Sequence, residues 1–170
     1  MPVAADFAGA LAALLAAVGE PAPAEPQVRM RSGTLELAVT IAADAVEVTL
    51  SGWRQRFALP DDEDGADAAA LALDLIGAAL FGAVRVAADS YDKDGPPRRF
   101  TLQVLGPAGW QTATTQGSRP WNPLARRTRA LHLGATPRPP RYAAVAVAAL
   151  PWAPWAGLAG FLEMNEWVWV

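Results

Sequence analysis

The feature that most constrains the fold is a stretch of alternating apolar and polar residues between positions 28 and 59. From Leu35 to Ile41 every second side chain is a large aliphatic one, and residues 46–50 repeat the pattern. A period of two residues is typical of strands that turn one face to a core and the other to water. The breaks between the apolar runs, such as Ser51-Gly52, are of hairpin length. The stretch therefore predicts an antiparallel meander with one polar face.

A long helix is predicted after the meander, over residues 64–82. Its apolar side chains recur at helical spacing and cover one broad face. An acidic segment at residues 60–65 precedes it, and carboxylates at a helix N-terminus cap free N–H groups and interact favourably with the helix dipole. Asp67 and Asp74 lie seven residues apart and define a narrow polar stripe. We therefore expect most of this helix to be buried against the sheet.

The rest of the chain adds a second helix and further strands. Residues 1–18 are predicted to form an N-terminal amphipathic helix, which a proline-rich linker over residues 19–27 joins to the meander. Further strands are predicted at 84–88, 98–105, 110–115, 129–133 and 142–149. Together these elements predict a single domain over residues 1–170 of the α+β class, with a mostly antiparallel sheet packed by one long helix.

The composition argues against most kinds of catalysis. The chain has no cysteine, which excludes disulfides, thiolate metal ligands and cysteine nucleophiles. His132 is the only histidine, and none of the serines lies in a Gly-x-Ser-x-Gly motif. The glycine-rich motifs that bind phosphates are also absent from the sequence. We therefore expect a protein that is not an enzyme and that has no metal and no cofactor.

Charge is distributed unevenly along the chain, although the net charge is only −3. Residues 1–94 contain fifteen acidic and six basic side chains, whereas residues 95–170 contain eight arginines and two glutamates. An asymmetry of this kind bears on association rather than on fold. The C-terminal half is therefore the half that we expect to bind an acidic or mixed surface.

Arginine and tryptophan occur together in this positively charged half. Both residue types are enriched at the hot spots of protein interfaces. We predict a non-catalytic protein–protein interaction module, of adaptor, immunity or assembly type, that binds through the region 98–155. Its partner would be a protein with an acidic or mixed surface, or another copy of the chain. The residues predicted to bind it are Arg119, Trp121, Arg126, Arg127, Arg129, Trp152 and Trp155.

Two other classes of function remain open from the sequence. One is a small-ligand-binding protein or a hydrolase with a tryptophan-lined pocket, which would use His132 or the pair Glu163 and Glu166. The other is a protein that binds nucleic acid or a membrane surface through the basic loop 119–129, where Trp121 could stack on a base. The net charge of −3 argues against nucleic acid, because nucleic-acid-binding domains are usually strongly basic.

The sequence also bears on location. The apolar stretch 150–170 is close to the length of a membrane span, but two prolines, two glutamates and an asparagine interrupt it. No basic residue precedes Arg29, whereas a secretory signal begins with positive charge. We therefore expect no transmembrane segment and a cytoplasmic protein. The abundance of alanine and arginine is typical of a bacterial gene of high GC content.

Overall fold

Two helices and eight strands make up the part of the chain that the structure, a computed structural model, describes: residues 3–17, 19–20, 26–91, 95–106, 109–118 and 128–134. The strand pairs there are antiparallel, and the predicted α+β class is confirmed. In chain order the elements are α1 (Val3–Ala17), β1 (Gln27–Ser32), β2 (Leu35–Ile41), β3 (Ala45–Leu50), β4 (Trp53–Ala58), α2 (Glu63–Leu80), β5 (Val84–Ser90), β6 (Arg99–Gly106), β7 (Gly109–Gly117) and β8 (Thr128–Leu133).

The predicted meander forms the first sheet, in the order β1-β2-β3-β4. Its pairing register places Leu37 opposite Leu50 and Val39 opposite Val48. Residues opposite one another on neighbouring strands point to the same face of a sheet, and all four of these side chains are buried. The alternation in the sequence therefore corresponds to one face in the core and one face directed outward.

The hairpin between β3 and β4 needs a backbone conformation that its sequence supplies. Leu50 pairs with Trp53, so Ser51 and Gly52 alone form the turn. Their φ angles are 45° and 97°, and positive values at both central positions are characteristic of the type I′ turns that match strand twist. A Cβ atom at Gly52 would overlap the ring of Phe100 on β6. This turn of the first sheet therefore packs closely against the second sheet.

Strands β5 to β8 form the second sheet, in the order β7-β6-β5-β8. β6 and β7 form a hairpin on one side of β5, and β8 pairs with the other side of β5. The sequence predicted these strands, but not that they form a sheet separate from the meander. Period-two spacing shows which side of a strand is buried but not which strand is its neighbour.

Helix α2 begins after Asp62, whose Oδ1 accepts a hydrogen bond from the Gly65 N–H at 3.1 Å. The acidic segment therefore caps the helix, as predicted. α2 packs against strands of both sheets and against α1. Asp67 is exposed, but Asp74 is fully buried. The predicted polar stripe is wrong at Asp74, because every residue from Ala72 to Leu80 is buried and this half of α2 has no face toward water.

Helix α1 packs against α2 through the apolar face that its sequence predicts. Phe7, Leu11 and Leu15 on that face are buried. The Val3 N–H donates a hydrogen bond to Asp61 Oδ1 at 3.0 Å, which holds the start of α1 beside the segment that precedes α2. Most of the predicted proline-rich linker, residues 21–25, lies outside the described residues.

Side-chain hydrogen bonds join the two sheets at two places. Gln116 of β7 accepts a hydrogen bond from the Arg54 N–H at 2.9 Å and donates one to the Arg54 carbonyl. At the other junction, the Thr34 N–H donates to the Leu133 carbonyl at 2.9 Å, and the Leu133 N–H donates to Thr34 Oγ1 at 2.8 Å. These contacts fix the second sheet relative to the first and so determine where its outward face lies.

Candidate functional site

The second sheet has one face in the core, where α2 packs, and one face directed away from both described helices. Val84 and Val86 of β5 belong to the core, together with Leu102 and Val104 of β6. The residues that alternate with them along the same strands point the other way. We call their surface the outer face of the second sheet. The pairing register arranges it in rows of cross-strand neighbours.

The first row consists of Arg99 on β6, Asp89 on β5 and Arg129 on β8, which are direct cross-strand neighbours. Arg129 Nε donates a hydrogen bond to Asp89 Oδ1 at 3.2 Å, and the side chain of Asp89 is 8% exposed whereas that of Arg129 is 53% exposed. The Nε of Arg99 is buried and has no hydrogen-bond partner within the described residues. One largely buried carboxylate therefore lies between two arginines.

The second row runs from Leu131 on β8 through Ala87 on β5 and Thr101 on β6 to Thr115 on β7, and the last three of these side chains are small. Because these side chains are short, a cleft of about 310 Å³ opens on the outer face. Its lining is polar and comprises, besides Asp89, the residues Arg99, Thr101, Gln103, Thr112, Thr115 and Arg129. The guanidinium, amide and hydroxyl groups of these residues can all donate hydrogen bonds into the cleft.

The third row contains Gln103 on β6 and Arg85 on β5. Arg85 Nε donates a hydrogen bond to Gln103 Oε1 at 2.7 Å, and the guanidinium carbon of Arg85 lies 4.4 Å from the centre of the Trp110 ring, in cation–π geometry. Burial, and secondarily the positive charge of Arg129, lower the pKa of Arg85. Arginine stays protonated in proteins, so Arg85 contributes a full positive charge to this face.

Strand β8 adds two exposed leucines to the same face. Leu131 is 46% exposed and Leu133 is 39% exposed, and they are the exposed large hydrophobic residues among those that the structure describes. Arg129, Leu131 and Leu133 are spaced two residues apart along the strand, so the three side chains share one side of it. The outer face of the second sheet therefore combines positive charge with apolar area.

The outward face of the first sheet has a different balance of charge. It forms a wider concavity of about 560 Å³, whose charged lining residues are Arg29, Arg31, Glu36, Glu47 and Arg54. Arg31 and Glu36 form an ion pair at 2.5 Å, with side chains that are 68% and 65% exposed. Ion pairs surrounded by water contribute little free energy. This face is larger, but its charges are mixed in sign and solvated, which makes it the weaker candidate.

The structure places one of the residues predicted to bind a partner, Arg129, in the first row of the outer face. The others lie outside the described residues: Arg119, Trp121, Arg126, Arg127, Trp152 and Trp155. The same is true of Glu163 and Glu166, the carboxylates of the alternative hydrolase site. His132 is described, on the opposite side of β8 from Leu131 and Leu133, and its Nδ1 is 3.3 Å from the carbonyl oxygen of Thr34.

Arg85 and Asp89 are two residues of the outer face that the sequence did not identify as functional. Both belong to β5, whose other residues are valine, alanine and serine. Charged residues four positions apart in an otherwise buried strand lie on one face, and this spacing is the signal that could have identified them. The division of the chain into an acidic and a basic half concealed it, because both residues fall in the acidic half.

The chain matches no family model, no curated protein and no solved structure. Among the His, Asp and Glu side chains of the described residues, no group of three or more could hold a metal ion. Neither of the two described helices is long and apolar enough to cross a membrane. A functional assignment therefore depends on the physical properties of the outer face of the second sheet.

Proposed function

We propose that the chain is a non-catalytic protein-binding module, of adaptor, immunity or assembly type, whose binding surface includes the outer face of the second sheet. The observation that carries the proposal is that this face combines Arg85, Arg99 and Arg129 with exposed leucines and a single carboxylate among the described residues. Arginine and tryptophan are enriched among the residues that dominate binding energy at interfaces. Apolar side chains beside them supply area that binding removes from water.

The partner in this proposal is a protein with an acidic or mixed surface. Three arginines face one aspartate in the first and third rows, so the face carries excess positive charge. Complementary charge steers association and fixes the orientation of the partner. A second copy of this chain also meets the description, because residues 1–94 carry more acidic than basic side chains. The proposal keeps the cytoplasmic location expected from the sequence.

The proposal retains the basic loop 119–129, most of which lies outside the described residues, as a further part of the binding surface. Arg126 and Arg127 precede Arg129 by three and two positions in the sequence. We expect Arg126→Glu with Arg127→Glu to weaken binding of the same partner and to leave the melting temperature nearly unchanged.

The central test replaces exposed side chains of the outer face of the second sheet. Arg129→Glu with Leu131→Ala reverses one charge and removes one exposed apolar side chain. We expect the binding of the partner to weaken at least tenfold, about 1.4 kcal/mol, because a charge pair and apolar area are both lost. The measurement is quantitative comparison of the proteins that the tagged full chain captures from its native cells, followed by affinity measurement with the partner identified.

The matched control changes the outward face of the first sheet in the same way. Arg29→Glu with Thr40→Ala also reverses one exposed arginine charge and shortens one exposed side chain. We expect this variant to capture the partner as the unaltered chain does. Thermal melting of both variants confirms that they are folded. If both variants capture the partner as well as the unaltered chain does, the proposal is wrong. It is also wrong if both variants lose the partner to the same extent.

A further inference from the structure

The cleft on the outer face of the second sheet has dimensions suited to a small charged group. Asp89 of the first row and Arg85 of the third row are four residues apart on β5, a distance of about 13 Å along a strand. The row between them contains the short side chains of Ala87 and Thr101, which leave the cleft of about 310 Å³ between longer neighbours. A group placed there is close to arginines of the first row.

Hydrogen-bond donors in this cleft outnumber the acceptors that the described residues provide for them. Arg99 Nε is buried without a hydrogen-bond partner within those residues, whereas Arg129 Nε donates to Asp89. A buried N–H group without an acceptor costs free energy, so an oxygen atom placed beside Arg99 would be stabilised. In the same lining the Thr115 hydroxyl donates a hydrogen bond to the Thr101 hydroxyl at 3.4 Å, so the single proton of the Thr101 hydroxyl is the one that can donate to an oxygen ligand.

The charges of the face select an anion over a cation. Arg85, Arg99 and Arg129 are opposed by Asp89 alone among the described residues of these rows. Like charges repel, and after burial the charge of Arg129 is the second cause that lowers the pKa of Arg85. A bound cation would increase this repulsion and a bound anion would relieve it. Guanidinium groups also match the planar or tetrahedral oxygens of carboxylates and phosphates, often through two hydrogen bonds.

We propose that this cleft binds a single carboxylate or phosphate group through Arg99 and Arg129, with the hydroxyl of Thr101 as a further donor. Arg99 is the principal ligand, because its guanidinium lines the cleft and has no acceptor at Nε within the described residues, whereas Arg129 Nε already donates to Asp89. The inference rests on the proposed function where the group belongs to the partner, as the side chain of an acidic or phosphorylated residue. A free anion is the other source of the same chemistry.

The first experiment titrates the ¹⁵N-labelled full chain with sodium phosphate and, separately, with sodium acetate, at constant ionic strength maintained with sodium chloride. The side-chain Nε–H signals of the arginines report on each guanidinium group. We expect the signals of Arg99 and Arg129 to shift and to saturate with at least one of the two anions, and those of Arg29 and Arg54 on the first sheet to stay unchanged. Shifts that do not saturate, or that are equal at all four arginines, would overturn the inference.

Two substitutions identify the ligands of the anion. Arg99→Lys keeps the positive charge but removes the buried Nε donor, and we expect it to weaken anion binding at least tenfold. Thr101→Val keeps the shape of the side chain and removes only the hydroxyl, with an expected loss of about threefold to tenfold, on the scale of one hydrogen bond. Thr49→Val, on the outward face of the first sheet, is the matched control. Unchanged affinity in a folded Arg99→Lys variant overturns the role of Arg99, and unchanged affinity in Thr101→Val overturns the role of its hydroxyl.

A competition experiment distinguishes the two sources of the anion. If the partner supplies the group, saturating phosphate or acetate at constant ionic strength releases the captured partner from the chain. If the anion binds but the partner stays bound, the cleft is a site for a free anion. If neither anion binds while Arg129→Glu with Leu131→Ala still loses the partner, the inference about the cleft is wrong and the proposed function stands. If the anions bind but that variant keeps the partner, the proposed function is wrong and the cleft stands.

Discussion

The two sheets have equal numbers of strands, but their outward faces differ in how they carry charge. On the first sheet, two arginines lie opposite glutamates, Arg31 opposite Glu36 and Arg56 opposite Glu47, and the ion pair of Arg31 and Glu36 is mostly exposed to water. On the second sheet, the carboxylate of Asp89 is largely buried between two arginines, and a third arginine lies two rows away. The first face is therefore a solvated surface, whereas the second holds partly buried charge of one dominant sign.

This difference shows that composition alone does not identify a binding face. Both sheets carry arginines on their outward faces, for example Arg29 and Arg31 on β1 and Arg85 on β5. What separates them is burial, because exposed ion pairs contribute little whereas buried charges must be paired or solvated by a ligand. The buried Nε of Arg99, which has no hydrogen-bond partner among the described residues, and the lowered pKa of Arg85 belong to the second sheet. Equivalent substitutions on the two sheets therefore test whether charged groups are more buried on the second sheet than on the first.

The largest expected effect concerns the hairpin turns of the two sheets. Gly52 in the first sheet and Gly109 in the second have nearly the same φ, 97° and 98°. An added Cβ would overlap the ring of Phe100 at Gly52 and would meet no heavy atom within 4 Å at Gly109. We expect Gly109→Ala to cost about 1–2 kcal/mol from backbone strain. Gly52→Ala should cost about 2–4 kcal/mol, because overpacking adds to that strain.

Urea unfolding of the two glycine variants measures this difference directly. The two positions share the backbone strain, so the difference between their free energies of unfolding isolates the contact with Phe100. Phe100→Leu in combination with Gly52→Ala should recover part of the loss. Equal destabilisation by the two glycine substitutions would show that the turn of the first sheet does not pack against the second sheet as the structure places it.

A smaller effect is expected when one carboxylate is removed from each face. Asp89→Ala leaves Arg99 and Arg129 without the carboxylate between them, and we expect a loss of about 2 kcal/mol, typical of hydrogen bonds to charged groups. Glu36→Ala removes the exposed partner of Arg31, and we expect a change within about 0.5 kcal/mol. The free energies of unfolding in urea at low salt give both values.

Salt sharpens the comparison of these two carboxylates. Raising the ionic strength to 1 M screens exposed charges much more than buried ones. The small effect of Glu36→Ala should therefore vanish, while most of the effect of Asp89→Ala should persist. If the two substitutions lose their effects equally in high salt, Asp89 is as solvated as Glu36 and the distinction between the faces fails.

The sequence was sufficient to predict the elements that depend on local patterns. The period of two residues in the meander, the capping carboxylate of Asp62 and the apolar face of α1 all lie within single segments. These features are fixed by backbone geometry and by the burial of one face, which neighbouring residues determine together. The burial of Asp74 could not be predicted in this way, because it depends on elements from elsewhere in the chain that pack around α2.

The candidate site could be predicted only in part, because it is made by pairing between distant strands. Arg129 is predicted to bind a partner because it lies in an arginine-rich segment. Its neighbour in the site, Asp89, is forty positions away along the chain. No local pattern shows that β8 pairs with β5 rather than with β7. The register that brings Arg99, Asp89 and Arg129 into one row depends on long-range topology, which the spacing of residues in a single sequence does not specify.

The smallest effect is expected when one arginine on each sheet is replaced by lysine, which keeps the positive charge. Arg85→Lys loses the hydrogen bond from Nε to Gln103 and the planar contact with Trp110, and we expect a loss of about 1 kcal/mol. Arg54→Lys, on the first sheet, should stay within about 0.5 kcal/mol, as is usual at exposed positions. Trp110→Leu supplies the double-mutant cycle: if the contact contributes, Arg85→Lys costs less in that background than in the unaltered chain. Equal costs in the two backgrounds would mean that Arg85 is held by Gln103 alone and that Trp110 is free to contact a partner.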